Sequence, residues 1–540
     1  MSSKHLFLLL AGTLLGIVFW MAWIPNTLDI VDGADYAWYQ SLFLMHDAVT
    51  GAADRRLIVS NAYYGWPFWL VTLAASFPFF GNGWENESGV LLASRFVTCV
   101  FGVAGVVTFG ATLSEEVRRR QMGNVWLVLP CLLLVLLMPI WWKMVVRIHP
   151  QMMLFFFEVL VLFFLNRDEG RLSKYYWAAV GAAGCALAIK IEAAMMAPMF
   201  LAYTLRVLLL SRTDPRHGLT ALLGGAAAAF VIFVLLNPYV LTAAGRHYWI
   251  QANLGNLVDL RHSGEKHSVW EASSQLSQNY FPFVLACLLL ASLWFDAIKA
   301  FRRRSLSSSQ WLAPYITICL IFRLFYVTKA NPYYWLAPMS FLTFGMVPFF
   351  AAASIGIPVV AAAVLLVSLS PSARVTASLF AERAQQIVYP DALGKAVTLA
   401  DAKRFSRGQA AAFAPLLQGA RRPLISISGH RPSDVDFRAL GVRYVERIYG
   451  CLKQEDLKPQ SGHRLSLPEV DLVIIRKNDD MLRPGQCPEM TKLLRSWEHR
   501  EDPRYFPLKE TPYLMAFGPN KQGSRPDVQS VENIWNKLKR

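Results

Sequence analysis

Apolar stretches separated by short polar breaks dominate the first 370 residues, at 5–25, 62–80, 90–113, 125–142, 151–166, 175–190, 192–210, 219–241, 280–298, 310–327, 333–350 and 354–370. A helix rises about 1.5 Å per residue, so about 20 apolar residues cross about 30 Å of hydrocarbon. The pattern predicts an α-helical polytopic membrane protein. The run 62–80 stands apart: Tyr63, Tyr64, Trp66 and Trp69 are aromatic-belt residues and Pro67 interrupts the run, which fits a juxtamembrane helix on the outer surface. About 11 crossings remain, with the N-terminus inside and the C-terminus outside. Beyond residue 370 the pattern changes. Short apolar runs, Pro423 to Ser428 and Val470 to Ile475, alternate with a helix-like stretch at Asp401 to Gln418. The expected organisation is a transmembrane domain over 1–370, with an outer loop at 26–89, and a small soluble extracytoplasmic α/β domain over 371–540.

Charge fixes the orientation. The short loops 114–124, 166–174, 211–218 and 299–309 carry 12 Lys/Arg in 39 residues, against 9 in the 90 residues of the opposite loops, so the first set is expected in the cytoplasm. Counting 62–80 as a crossing would invert every later loop and expel Arg118, Arg119 and Arg120.

The chain has 540 residues, 54% hydrophobic and 17% charged, which excludes an ordinary soluble enzyme. The net charge of +16 then serves topology and anionic lipid rather than nucleic acid, which is not an expected partner. The first run has no small-residue cleavage site and is expected to stay as an anchor. Cys99, Cys131, Cys185, Cys287 and Cys319 sit in apolar runs and read as small core residues. Cys451 and Cys487 lie in polar sequence, and both a disulfide and two free thiols are open there. An integral protein of the bacterial inner (cytoplasmic) membrane is the expected location.

Candidate chemistry collects in the outer loops. Asp29, Asp32 and Asp35 follow the first crossing, beside Tyr36, Trp38 and Tyr39. Asp32 and Asp35, three apart, would share a helix face. They could hold a divalent metal ion or raise one pKa, or simply begin a solvated helix. Later outer loops bring Arg147 and His149, Lys190 and Glu192, Tyr239, and then Arg323, Lys329, Tyr333 and Tyr334. Lys190 with Glu192 reads either as a functional pair or as snorkelling and an ordinary ion pair. Glu158, inside an apolar run, is either functional or paired with a neighbouring helix. Tyr333 and Tyr334 fit an aromatic belt or a sugar platform.

The order of these landmarks resembles the GT-C superfamily of polyprenyl-phosphate-sugar-dependent glycosyltransferases, the group of protein O-mannosyltransferases and the lipid A aminoarabinose transferase. The likeness covers about residues 5–350. The family's first outer loop opens on an acid, similar to Asp32 through Tyr36. Its aromatic-Pro surface helix looks like Tyr63 to Phe68, its Arg-led span like Arg95, its Arg-x-Pro-acid loop like Arg147 to Gln151, and its Gly-rich span ending in Lys like Gly181, Gly184 and Lys190.

The resemblance implies that Asp32 is the catalytic base, with Asp35 beside it as a second carboxylate. Arg95, Arg147, Lys190, Arg323 and Lys329 would hold the donor phosphate. Tyr36, His149, Glu192, Tyr239, Tyr333 and Tyr334 would line the substrate path. Gln151 departs from the family acid, so a metal ligand from that loop is not expected. The implied activity is inverting transfer of a sugar from a polyprenyl-phosphate donor to a lipid, glycan or protein acceptor at the outer face. A transporter or flippase of a lipid-linked or anionic substrate is the alternative.

Overall fold

A computed structural model describes residues 3–23, 41–42, 45–46, 49–50, 65–80, 87–120, 128–210, 215–243, 245–247, 249–250, 253, 269–305, 307–325, 335–352, 371–385, 387–388, 397–417, 425–427, 472–476, 505–511 and 514–519. By its contacts the chain divides into two units. One comprises Met1–Trp23, Val59–Pro78 and Leu92–Ala381, and the other Ile24–Ile58, Phe79–Leu91 and Glu382–Arg540.

The first unit is helical. Its elements are α1 (Ser3–Trp23), α2 (Trp66–Ser76), α3 (Glu87–Arg119), α4 (Val128–Leu136), α5 (Pro139–Val145), α6 (Gln151–Asp168) and α7 (Lys174–Ile189). They are followed by α8 (Ala197–Leu210), α9 (Pro215–Leu236), α10 (Val269–Asn279), α11 (Phe283–Arg302), α12 (Ser309–Phe325), α13 (Leu336–Leu342), α14 (Met346–Ala352) and α15 (Pro371–Ala384). Among the described residues four helical stretches are long and apolar enough to cross a membrane: Gly89–Arg119, Ile191–Leu210, Pro215–Leu236 and Phe283–Arg302. On α9 the large side chains Leu219, Leu223, Phe230, Val231 and Leu235 all face outward. Water tolerates no such surface, and the chain is an integral membrane protein.

The run expected as one crossing at 125–142 is broken into α4 and α5, bent by 66°. Pro139 explains the break: the residue before a proline avoids helical ψ, and Met138 sits at φ −73°, ψ 115°. The loop expected at 242–279 ends in α10, whose buried stripe is Ala272, Ser273 and Leu276. Two burial expectations need correcting. Trp69 is buried in the core with Phe68, not at an aromatic belt, and Cys287 is exposed on α11 rather than buried. The candidate crossing 354–370 lies outside the described residues.

Helices α6 and α7 pack side by side, α9 covers α7, and α12 packs against α8 and α11. Gly184 permits the α7–α9 approach, because a Cβ there would press on Ile232. Between α6 and α7 the chain turns through Glu169, Gly170 and Leu172, all at positive φ. Asp168 holds that turn: its carboxylate accepts from the backbone N–H of Arg171, Leu172, Ser173 and Tyr176, and from the hydroxyls of Ser173 (2.7 Å) and Tyr203 (2.5 Å). At the same end Arg120 donates twice to Asp296 (2.9 and 2.7 Å) and once each to Glu116 and Ser307. One basic residue of the arginine-rich turn is thus an internal clamp between α3 and α11.

The second unit contains a helix and strands. A short antiparallel pair, β1 (Ile387–Val388) with β2 (Val397–Thr398), leads into α16 (Leu399–Phe413), which Thr398 caps by accepting from the Asp401 N–H. The strands β3 (Ile425–Ile427), β4 (Leu472–Arg476), β5 (Tyr505–Glu510) and β6 (Leu514–Pro519) form a mixed sheet in the order β3-β4-β6-β5. Only β3 and β4 run parallel. Leu472, Ile474 and Ala516 are buried, as the period-two pattern of a half-buried sheet requires. Thr511 donates to Gln409 at 2.8 Å, tying α16 to the sheet. The first helix past residue 370, α15, packs on the helical unit. Thr376 of α15 donates to the Leu137 carbonyl, and Phe380 stacks edge-on against Trp142.

Candidate functional site

Three chain segments meet where α7 ends. Lys190 leaves the helix with an extended backbone, φ −159° and ψ 132°, and a 3-10 turn, Ile191–Met196, follows it. Its side chain is fully buried, and its ammonium lies 2.8 Å from the Glu192 carboxylate and 3.4 Å from Gln151 Oε1 at the start of α6. The snorkelling alternative is therefore excluded in favour of a buried ion pair. Removing one partner of such a pair costs about 3–5 kcal/mol, because the other charge is left without compensation. Glu158, seven residues beyond Gln151 and so on the same face of α6, is buried within electrostatic range of Lys190 and Glu192, and of Tyr315 on α12.

His149 precedes α6 and is buried. Its Nδ1 accepts from the Gln151 N–H at 3.1 Å, satisfying one of the free donors at the helix start. Burial, reinforced by the positive charges of Lys190 and Arg147, pushes its pKa well below the ordinary histidine value. A neutral imidazole accepting at Nδ1 is what that hydrogen bond needs. His149 thus orients the loop that carries Arg147, which is half-buried.

A second junction fixes the end of α7 from the other side. Gly65 donates to the Ile189 carbonyl at 2.9 Å. Asn237, at the end of α9, accepts from the Trp66 N–H at 2.9 Å and donates to the Ala188 carbonyl at 3.0 Å. The fully buried Asn237 amide therefore uses both ends, joining α2, α7 and α9, while Tyr239 packs its ring 5.8 Å from Trp66. Gly65 has a backbone any residue could adopt, φ −61° and ψ 157°, but a Cβ would collide with the Ala188 carbonyl oxygen. Gly65→Ala is expected to cost about 3 kcal/mol and to lower Tm in detergent by several degrees, read by intrinsic fluorescence.

The structure therefore brings Arg147, His149, Lys190 and Glu192 together, and adds Gln151 and Glu158. Tyr239 lies at the adjoining junction. Arg95 is buried on α3 and donates to the Ala22 carbonyl at 3.1 Å, at the C-terminal end of α1. Arg323 lies on α12, with its side chain outside the described residues. Asp32, Asp35, Tyr36, Lys329, Tyr333 and Tyr334 also lie outside them, as do Cys451 and Cys487. Among the described residues no three His, Cys, Asp or Glu side chains form a metal-binding group. Gln151 was visible in sequence only as a departure from the family acid, and its role as acceptor for Lys190 follows from the fold.

No family model matches the chain, and no curated protein matches it by sequence. Solved structures do match. ArnT from Cupriavidus metallidurans bound to undecaprenyl phosphate aligns with a TM-score of 0.54 at 12% identity, over 97% of this chain and 99% of that one. The Archaeoglobus fulgidus oligosaccharyltransferase in its apo form aligns with a TM-score of 0.51 at 12% identity, over 96% of this chain and 75% of that one. With so little sequence identity it is the backbone architecture that is shared, and this chain has a GT-C-like fold.

Proposed function

We propose that this protein is an inverting glycosyltransferase that moves a sugar from a polyprenyl-phosphate donor to a lipid, glycan or protein acceptor at the outer face of a bacterial inner membrane. The observation that carries the reading is the fully buried Lys190, held by Glu192 and Gln151 at the start of α6. A lipid-phosphate leaving group gains negative charge as the anomeric C–O bond breaks. Fixed cations in a water-poor site, with a helix N-terminus beside them, stabilise that charge. Arg147 shares this corner, and Arg323 and Lys329 are assigned to the same phosphate. Asp32 takes the acceptor's proton as the acceptor oxygen attacks the face opposite the departing phosphate, which inverts the anomeric centre. Asp35 assists it, as a second carboxylate or, with Asp32, as ligand to a divalent metal ion. Tyr36, His149, Glu192, Tyr239, Tyr333 and Tyr334 line the donor and acceptor path.

The fold neighbour named above was solved with undecaprenyl phosphate bound, which supports a carrier of that class. The deciding experiment is transfer of labelled sugar from a defined polyprenyl phosphate by the purified protein, with the product's anomeric configuration determined. Passage of the intact lipid across a vesicle membrane without glycosidic exchange would make the protein a transporter instead.

About 11 crossings, with the 371–540 domain outside the cytoplasm, complete the reading. A phosphatase reporter fused after Arg540, active only outside the cytoplasm, is expected to be active. An inactive reporter beside an active cytoplasmic one would reverse the orientation.

A further inference from the structure

The far end of the same helices holds a second buried cation, one that glycosyl transfer at Lys190 does not use. Arg206 lies on α8, nine residues past its first residue Ala197 and so beyond the 3-10 turn that follows Lys190, and is 2% exposed. Its Nε donates to Gln310 Oε1 at 2.8 Å, but its two terminal nitrogens have no hydrogen-bond partner among the described residues. Asp168, the carboxylate nearest in electrostatic terms, is fully taken up by the turn after α6 and by Tyr203.

Gln310 belongs to the first turn of α12, where it closes a capping box: the Ser307 N–H donates to its Oε1, and Ser307 Oγ accepts from the Ser309 N–H. In that turn Ser308 Oγ, Gln310 Nε2 and Trp311 Nε1 are likewise buried without partners. Guanidinium and indole can only donate, as can the free end of the Gln310 amide. The Ser308 hydroxyl can donate as well, so an anion can accept from every member. Trp311 and Arg206 are also in cation–π range at 5.8 Å. Arg302, Arg303 and Arg304, exposed just upstream, supply an electropositive approach.

We infer that Arg206 and the first turn of α12 form an anion site for a phosphate group, at the membrane face opposite Lys190. The phosphate belongs either to an anionic lipid headgroup or to free inorganic phosphate, and the same chemistry serves both.

The test uses the full-length protein in a phosphate-free glycoside detergent. Tm is followed against inorganic phosphate in one arm and against phosphatidylglycerol in the other, each beside sodium chloride of equal ionic strength. Saturable stabilisation is expected in at least one arm, and which arm responds identifies the source. The half-saturating concentration should rise at least tenfold in Arg206→Gln and about threefold in Trp311→Phe, which keeps an aromatic ring at the position and removes the indole donor. If Arg206→Gln does not fold, Trp311→Phe decides. Stabilisation no greater than that by sodium chloride in both arms, or a midpoint unmoved by Trp311→Phe, overturns the site.

Discussion

Replacing Lys190 and Glu192 together by glutamine is expected to leave the protein folded while lowering sugar transfer by about 10²–10³, the usual loss when one preorganised transition-state contact is removed. The pair must be changed as a unit. Lys190→Gln alone strands the Glu192 carboxylate, with Glu158 also in range, in a buried site. Its expected phenotype is therefore loss of stability, by about 3–5 kcal/mol. Glu192→Gln alone leaves the ammonium on Gln151 with Glu158 in range, so its loss of stability is expected to be the smaller of the two. The double variant carries no unpaired charge from this pair, so Tm should recover toward that of the wild type while kcat does not. That split is the measurement: Tm by intrinsic fluorescence against initial rates of label transfer. Recovery of both would reduce the pair to a structural strut at the end of α7. Loss of kcat with an unchanged KM for the donor would place the lost contact in the transition state.

What the sequence made legible depended on how local each cause was. The apolar helices followed from runs of apolar residues, whereas α10 and α15, with few apolar residues, did not, and the bend between α4 and α5 was readable in principle from Pro139. β3 lies inside the short apolar run at 423–428 and β4 overlaps the one at 470–475, running one residue past it, because a strand needs only a few alternating residues to declare itself. The Lys190–Glu192 pair was open between two readings, since sequence gives no burial, and it is burial that turns an ordinary ion pair into a costly one. Longer-range causes were invisible. Asn237 meets Trp66 across 171 positions, and Arg206 meets Gln310 across 104. Nothing in an apolar run marks which lone polar residue will find such a partner. Arg95 was read by pattern, as a basic residue opening a span, and its bond to the Ala22 carbonyl across 73 positions is another contact that the pattern does not contain.

Asp32→Asn is expected to reduce transfer by about 10²–10⁴, the range a positioned general base contributes, with expression and Tm unchanged. The amide keeps the volume of the carboxylate and most of its hydrogen-bonding capacity but cannot accept the acceptor's proton. A phosphate leaving group departs without help from an acid, so the proton to be managed is the acceptor's own. Asp35→Asn separates the two carboxylates. If Asp35 only assists, its variant should retain more than about a tenth of the rate; if both carboxylates bind a divalent ion, both variants should fall together and respond to added cation. An acceptor that is already ionised at the assay pH should rescue Asp32→Asn, because the step the base performs is then complete before binding. A wild-type rate in Asp32→Asn with a neutral acceptor would remove Asp32 from the reaction while leaving the phosphate-binding role of Lys190 to stand or fall on its own test.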